Sequence, residues 1–360
     1  MDVDFDKPSA IPRCVDNCTE SEVEGKIINI DPRNPVPDSL VHEDMTFPWM
    51  AHAHKTFKLQ ELIEKLALQK GDHAGPLVVD ISEILGGQHL LMDSWAIVKK
   101  GWSLTSSNKL DLAENVFRQY THESFKDSDS PDLDHVLFNF CLRLLGPKKY
   151  SLFNNAAELL SRVAHNNEPE YRRFRAFFIN NQREKNLDEY FDVFSQYFKN
   201  YSEFAQTDLY AKNEAPLPAS SQVVSTAFRD TKQFYGNAFE ALTSGFTSLA
   251  CINNMLSGRP FDQFQSMDLK KYLTTNKAGR ANPFSQEPKL FAFADCIDST
   301  IRNASHHGAM TIDHARGIIR FRSGGTGAEQ QMTYAEYLLK CNEIMLSLAA
   351  LVTTELLIAY

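Results

Sequence analysis

From about Phe57 onward, apolar residues recur at three- and four-residue intervals, the spacing that lines one face of an α-helix. Leu59, Leu62, Ile63, Leu66 and Leu68 open the pattern, and further stretches follow near residues 79–99, 109–121, 131–145 and 151–164. With Val78, Val79 and Ile81, the 79–99 segment can begin as a strand. Gly71-Asp72, Ser128-Asp129-Ser130-Pro131 and Gly146-Pro147 place turn residues between the stretches, which predicts a bundle of short helices rather than a solenoid. Asn166-Asn167-Glu168-Pro169 stops one helix and starts another. Beyond it, Phe174, Phe177, Phe178, Phe191, Phe194 and Tyr197 make an aromatic face, which packing explains better than base stacking. Arg172, Arg173, Arg175 and Arg183 read as a solvated face.

The last third has a clearer pattern. Residues 222–256 read as one long helix with Val224, Phe228, Phe239, Leu242, Phe246, Leu249 and Ile252 inward, ended by Ser257-Gly258-Arg259-Pro260. A polar segment follows to Pro288. Leu290, Phe293, Ala294, Ile297 and Ile301 then fit one helical stripe over residues 289–305. Residues 310–312 and 318–321 flank Asp313-His314-Ala315-Arg316-Gly317 as a β-hairpin, and residues 334–358 form a closing helix. The fold class is therefore mainly α. Its expected organisation is an arm over 1–50, a helical region of unassigned role over 51–168 and a helical domain with a small hairpin over 169–360. Residues 213–221, with two prolines, are an alternative place for the boundary.

Charge and cysteine usage refine this outline. The net charge of −9 argues against a polyanion partner, but residues 1–50 hold eleven acids against four bases, so −7 of it falls in that arm. The arm also carries six of the fifteen prolines and reads as extended or partly disordered. Cys14, Cys18, Cys141, Cys251, Cys296 and Cys341 are scattered without the spacing of a disulfide framework. The N-terminus lacks a secretory pattern. The apolar stretch 344–360 is short for a bilayer span and contains Glu355. A reduced, cytoplasmic protein without a membrane partner is expected.

The candidate chemistry lies in Ile301-Arg302-Asn303-Ala304-Ser305-His306-His307-Gly308. Histidine, with an unperturbed pKa near ~6.5, exchanges protons at neutral pH. Arginine stays charged and offers a planar fork of donors to phosphate. Arg302 and His306 are one helical turn apart, and Gly308 can end the helix and leave the His307 ring facing outward. Either histidine fits this geometry. Four arginines (Arg302, Arg316, Arg320, Arg322) and three histidines (His306, His307, His314) stand against Asp313 alone between 302 and 322, a basic patch in an acidic chain.

This stretch resembles the signature of the HEPN superfamily, an Arg with a following polar residue and a His four to six positions later at a helix end. With the hairpin and terminal helix, the resemblance covers roughly residues 170–360. It implies a ribonuclease that needs no metal or other cofactor, acts on RNA as a homodimer, and often serves as a toxin or phage-defence effector with an antitoxin or sensor partner. Arg302, Asn303 and His307 would be catalytic, with His306, Arg316, Arg320 and Arg322 contacting substrate. The alternative is a non-catalytic HEPN-like dimerisation, nucleotide-sensing or partner-binding module.

Plainer readings exist for each feature. Arg302 can pair with Asp298 four residues earlier, and a histidine at a helix C-terminus is favoured by the dipole. His52-Ala53-His54 lacks further ligands for a metal site, Cys14 and Cys18 lack a second pair, and Ser323-Gly324-Gly325-Thr326-Gly327 lacks the Lys-Ser/Thr ending of a phosphate loop.

Overall fold

The terminal helix shows why the chain folds as it does. From Ile344 onward the helix over 334–359 is apolar on nearly every side, so that part must be surrounded, and its start is fixed by a reciprocal cap. The Glu336 backbone N–H donates to Thr333 Oγ1 at 3.1 Å while the Thr333 N–H donates to Glu336 Oε2 at 2.6 Å. Among the described residues this is the one helix long and apolar enough to cross a membrane, and 89% of its most apolar window is buried inside the fold.

The computed structural model describes residues 87–120, 131–218, 221, 223–225, 227–323 and 327–360. The expectations for the 1–50 arm, for a strand near 79, and for Cys14, Cys18, His52 and His54 lie outside these residues. Along them run α1 (Gly87–Ser106), α2 (Leu110–Phe117), α3 (Leu133–Asn166), α4 (Glu168–Asn181), α5 (Arg183–Lys199), α6 (Tyr201–Asn213) and α7 (Phe228–Leu256). Short helices α8 (Leu269–Leu273) and α9 (Pro288–Phe291) follow, then α10 (Ser299–His306), strands β1 (Met310–Asp313), β2 (Ile318–Arg322) and β3 (Glu329–Thr333), and α11 (Tyr334–Ala359). The protein is mainly helical, with one small antiparallel sheet among the described residues, in the order β1-β2-β3.

Residues 80–360 form one unit, and a single apolar core runs through it from Leu91 to Ile358. Helix α11 packs against α3, α6 and α7, so the helices on the two sides of Asn167, where a boundary was expected, share this core. The Trp95 ring lies 5.1 to 5.7 Å from those of Phe140, Phe191, Phe194 and Phe198. The aromatic face is thus packing, with Phe174 and Phe178 also buried. Arg172 and Arg173 are exposed, as expected, and pair at the surface with Glu168 and Glu170, while Arg183 pairs with Asp134 and Arg175 donates to the Ala359 carbonyl.

Two polar side chains inside the core, Glu355 and Asn342, are held by several hydrogen bonds each. The Glu355 carboxylate accepts from Ser248 Oγ (2.6 Å), Tyr190 Oη (2.9 Å) and Asn186 Nδ2 (3.0 Å), yet burial pushes its pKa up to about 7. Asn342 donates to the Phe204 carbonyl and Thr207 Oγ1 and accepts from Tyr197 Oη.

Several predicted boundaries change. Gly146 breaks α3 with φ +69°, as the turn signal required. The long helix expected from residue 222 begins at Phe228. The helix expected over 289–305 is not continuous: α9 passes into a 3-10 turn at Ala292–Ala294, and α10 starts afresh after Asp298. The two pieces keep one apolar stripe because Phe293 and Ile301 enter the same core. The hairpin forms with Met310 opposite Phe321 and Asp313 opposite Ile318. A third strand, β3, pairs with β2 from Ile318↔Thr333 to Arg322↔Glu329.

Candidate functional site at the end of α10

Helix α10 begins where Asp298 accepts hydrogen bonds from the backbone N–H groups of Thr300 (2.8 Å) and Ile301 (3.2 Å), satisfying donors the first turn leaves open. The Asp298 side chain is therefore a helix cap, and Arg302 pairs elsewhere than predicted. The helix buries Ile301, Ala304 and Ser305 against α7 and turns the other residues outward. Three further bonds hold it there. Ser305 Oγ donates to the Lys232 carbonyl (2.6 Å), Tyr235 Oη donates to the Cys296 carbonyl (2.7 Å), and the Asp298 N–H donates to Tyr235 Oη (2.8 Å). A Cβ on Gly236 would fall 2.9 Å from His306 Nε2, so the His306 ring rests on the bare backbone of α7 at that glycine.

The Arg302 guanidinium is fixed from two sides. Its Nε donates to Glu240 Oε1 at 2.6 Å and its Nη2 also contacts that oxygen, while Nη1 donates to Asn303 Oδ1 at 2.8 Å. Asn303 Nδ2 reaches Ser323 Oγ at 3.4 Å, which ties the motif to the end of β2. The Arg302 and Glu240 side chains remain 30% and 31% exposed, so the pair faces solvent at one edge. Glu240 also lies 3.9 Å from the Lys277 ammonium, which donates to the Glu240 carbonyl at 3.1 Å and contacts Ser244 Oγ. Burial, then the nearby Arg280 charge, hold the Lys277 pKa below its ordinary value.

The helix ends as its sequence requires. His307 is the C-cap, its N–H donating to the Asn303 carbonyl at 3.0 Å, and Gly308 follows with φ +66°, a left-handed conformation that glycine adopts without a Cβ clash. Both His306 and His307 are exposed. Among the described residues no side-chain hydrogen bond is made by His307, whereas His306 leans on α7.

No family model, curated protein or solved structure matches this chain. What the site can do rests on its own geometry.

On β2, Arg320 and Arg322 share the solvent face while Ile319 and Phe321 enter the core. Arg322 pairs with Glu329 across the ladder at 3.1 Å. Arg316, in the exposed turn before β2, lies 3.9 Å from Asp313. The basic residues predicted as substrate contacts are thus all at the surface, and α10 packs beside β2. Arg302 and Asn303 are in direct contact; along the chain Arg302 stands four positions before His306 and five before His307, the C-cap of α10.

Two members of the site, Glu240 and Lys277, were not singled out from sequence. Glu240 did carry a signal, as the one charged residue between Lys232 and Arg259. An acid alone in so apolar a helix needs a partner.

Proposed function

We propose that the protein is an RNA endonuclease in which His307 moves protons and Arg302 steadies the phosphate. The observation that carries this reading is the end of α10, where an unbonded, exposed imidazole follows an arginine oriented by Glu240 and Asn303. The reaction suited to those groups begins with removal of the ribose 2′-hydroxyl proton. The 2′-oxygen attacks phosphorus, the bond from phosphorus to the 5′-oxygen breaks, and that oxygen takes up a proton. The products are a 2′,3′-cyclic phosphate and a 5′-hydroxyl. An imidazole can serve either proton transfer, and a fixed cation stabilises charge that develops on the phosphoryl oxygens. DNA lacks the nucleophile.

One histidine cannot be acid and base in the same turnover unless the proton it takes is the one it returns. A homodimer that sets two α10 ends face to face supplies both groups, with Asn303 orienting Arg302 and His306, Arg316, Arg320 and Arg322 contacting the phosphate chain. Toxin or phage-defence roles, with an antitoxin or sensor partner, are the settings in which such a nuclease would be used. The test is cleavage of RNA by the purified full chain in excess chelator. Arg302→Ala and His307→Ala should each abolish cleavage with folding intact, and undiminished rates in both would defeat the reading.

The Arg302–Glu240 pair also favours a second reading, a non-catalytic helical module in which the pair merely pins α10 to α7. That reading requires Arg302→Ala to lower the melting temperature and requires the wild-type protein to leave RNA intact.

A further inference from the structure

Glu240 lies 62 positions before Arg302 in the chain, and the fold brings the two into contact on facing helices. We propose that Glu240 is a positioning residue, whose carboxylate sets the Arg302 guanidinium so that its outer N–H fork is presented to an RNA phosphate. The inference rests on the reading of Arg302 as a phosphate ligand and adds the group that aims it.

A guanidinium carries five N–H donors, one on Nε and two on each Nη. Glu240 engages Nε and one position on Nη2, and Asn303 takes one on Nη1. One N–H is left on each Nη, which is the pair that grips two oxygens of a phosphate. The carboxylate therefore occupies the side edge of the guanidinium, and the positioning role requires that Asn303 take the inner Nη1 hydrogen so that the end-facing pair meets phosphate at this 30% exposed side chain. A free arginine head would have to find this orientation at each encounter, whereas a clamped one already holds it.

Glu240 is itself braced. Lys277 reaches its carbonyl and stands 3.9 Å from its carboxylate, so one anion lies between two cations and the site keeps a net positive charge toward phosphate. The pair is one of several contacts that dock α10. Ser305 on Lys232, Tyr235 at Asp298 and the burial of Ile301 and Ala304 already hold that helix to α7. A contact that is not the sole tie of α10 to α7 and that engages the charged group of the motif is placed to orient it.

The experiment compares the full-length wild type with Glu240→Gln, Glu240→Asp and Glu240→Ala. Steady-state cleavage of a single-stranded RNA is one readout. The other is the Arg302 Nε–H resonance, titrated with the all-deoxy oligonucleotide of the same sequence, which offers phosphate without the nucleophile. The inference predicts that Glu240→Gln lowers kcat on the order of tenfold or more with KM and melting temperature little changed, and that Glu240→Asp recovers part of the loss. It also predicts an Arg302 resonance that is held and oligonucleotide-sensitive in the wild type but averaged in Glu240→Gln. Cleavage by Glu240→Gln and Glu240→Ala at or above the wild-type rate overturns it, as does a loss of rate that merely follows a loss of stability. A wild type that cleaves nothing defeats the nuclease reading instead. The resonance then decides the role of Glu240 alone, and an Arg302 signal unaffected by Glu240→Gln overturns it.

Discussion

Glu355→Gln should remove one pH-dependent contribution from the stability of the protein. The wild-type carboxyl is fully buried in the core on α11, with donors from Ser248, Tyr190 and Asn186 that offset only part of the loss of water, and its pKa rises from the ordinary 4.5 to about 7. Because the folded protein holds this proton more tightly than the unfolded chain, Glu355 favours folding most strongly below about pH 4.5. That contribution is lost as pH rises through about 7. A difference of about 2.5 pKa units corresponds to roughly 3 kcal/mol, and about 2 to 3 kcal/mol of it falls between about pH 5 and pH 8. Glutamine keeps the volume and cannot ionise. The assay is urea unfolding of both proteins at several pH values, taking the difference between them so that other titrating groups cancel. Glu355→Gln should gain about 2 to 3 kcal/mol relative to wild type from the acid to the alkaline end. A difference constant with pH would refute the claim that this carboxyl is ionised at a cost inside the fold.

Gly245→Ala places a methyl on the Tyr190 hydroxyl and 2.5 Å from Leu351 Cδ2, and should cost about 1 to 3 kcal/mol by overpacking, read from the urea midpoint. Asp298→Ala removes the acceptor for two N–H groups of α10; about 1 kcal/mol of stability should go, with a larger loss of RNA cleavage, and Asp298→Ser should retain most of both. Gly308→Ala meets no atom within 4 Å but must adopt φ +66°. It should cost about 1 kcal/mol from backbone strain alone, and Gly308→Asn should be milder in a thermal melt.

Much of the fold could be read from sequence because its signals are local. The closing helix announces itself by the long apolar stretch from Ile344, and the turn residues at Gly146 and Asn167 fall where the backbone changes direction. The break before Asp298 was hidden because periodicity reports which side of the chain is buried. Phe293 and Ile301 keep that side constant across a backbone that is not one helix. Strand β3 gave no alternation, since Glu329, Gln330 and Gln331 are all exposed and the strand is held at the sheet edge by its ladder to β2. Within the site, the motif Arg302 to Gly308 and its helix-ending geometry were visible in a window of seven residues. The choice of Glu240 over Asp298 as the partner of Arg302 was not. Asp298 was claimed by the two N–H groups beside it, and the competing acid approaches only when α7 and α10 pack.

The chemistry of the cut ends tests the central claim most directly. RNA treated with wild-type protein in excess chelator should yield fragments ending in 2′,3′-cyclic phosphate or its hydrolysed 3′-phosphate, with 5′-hydroxyl partners, in mass spectra that the His307→Ala protein does not produce. Fragments bearing 5′-phosphates and 3′-hydroxyls, or the same fragments from His307→Ala, would contradict an imidazole acting on the ribose 2′-hydroxyl.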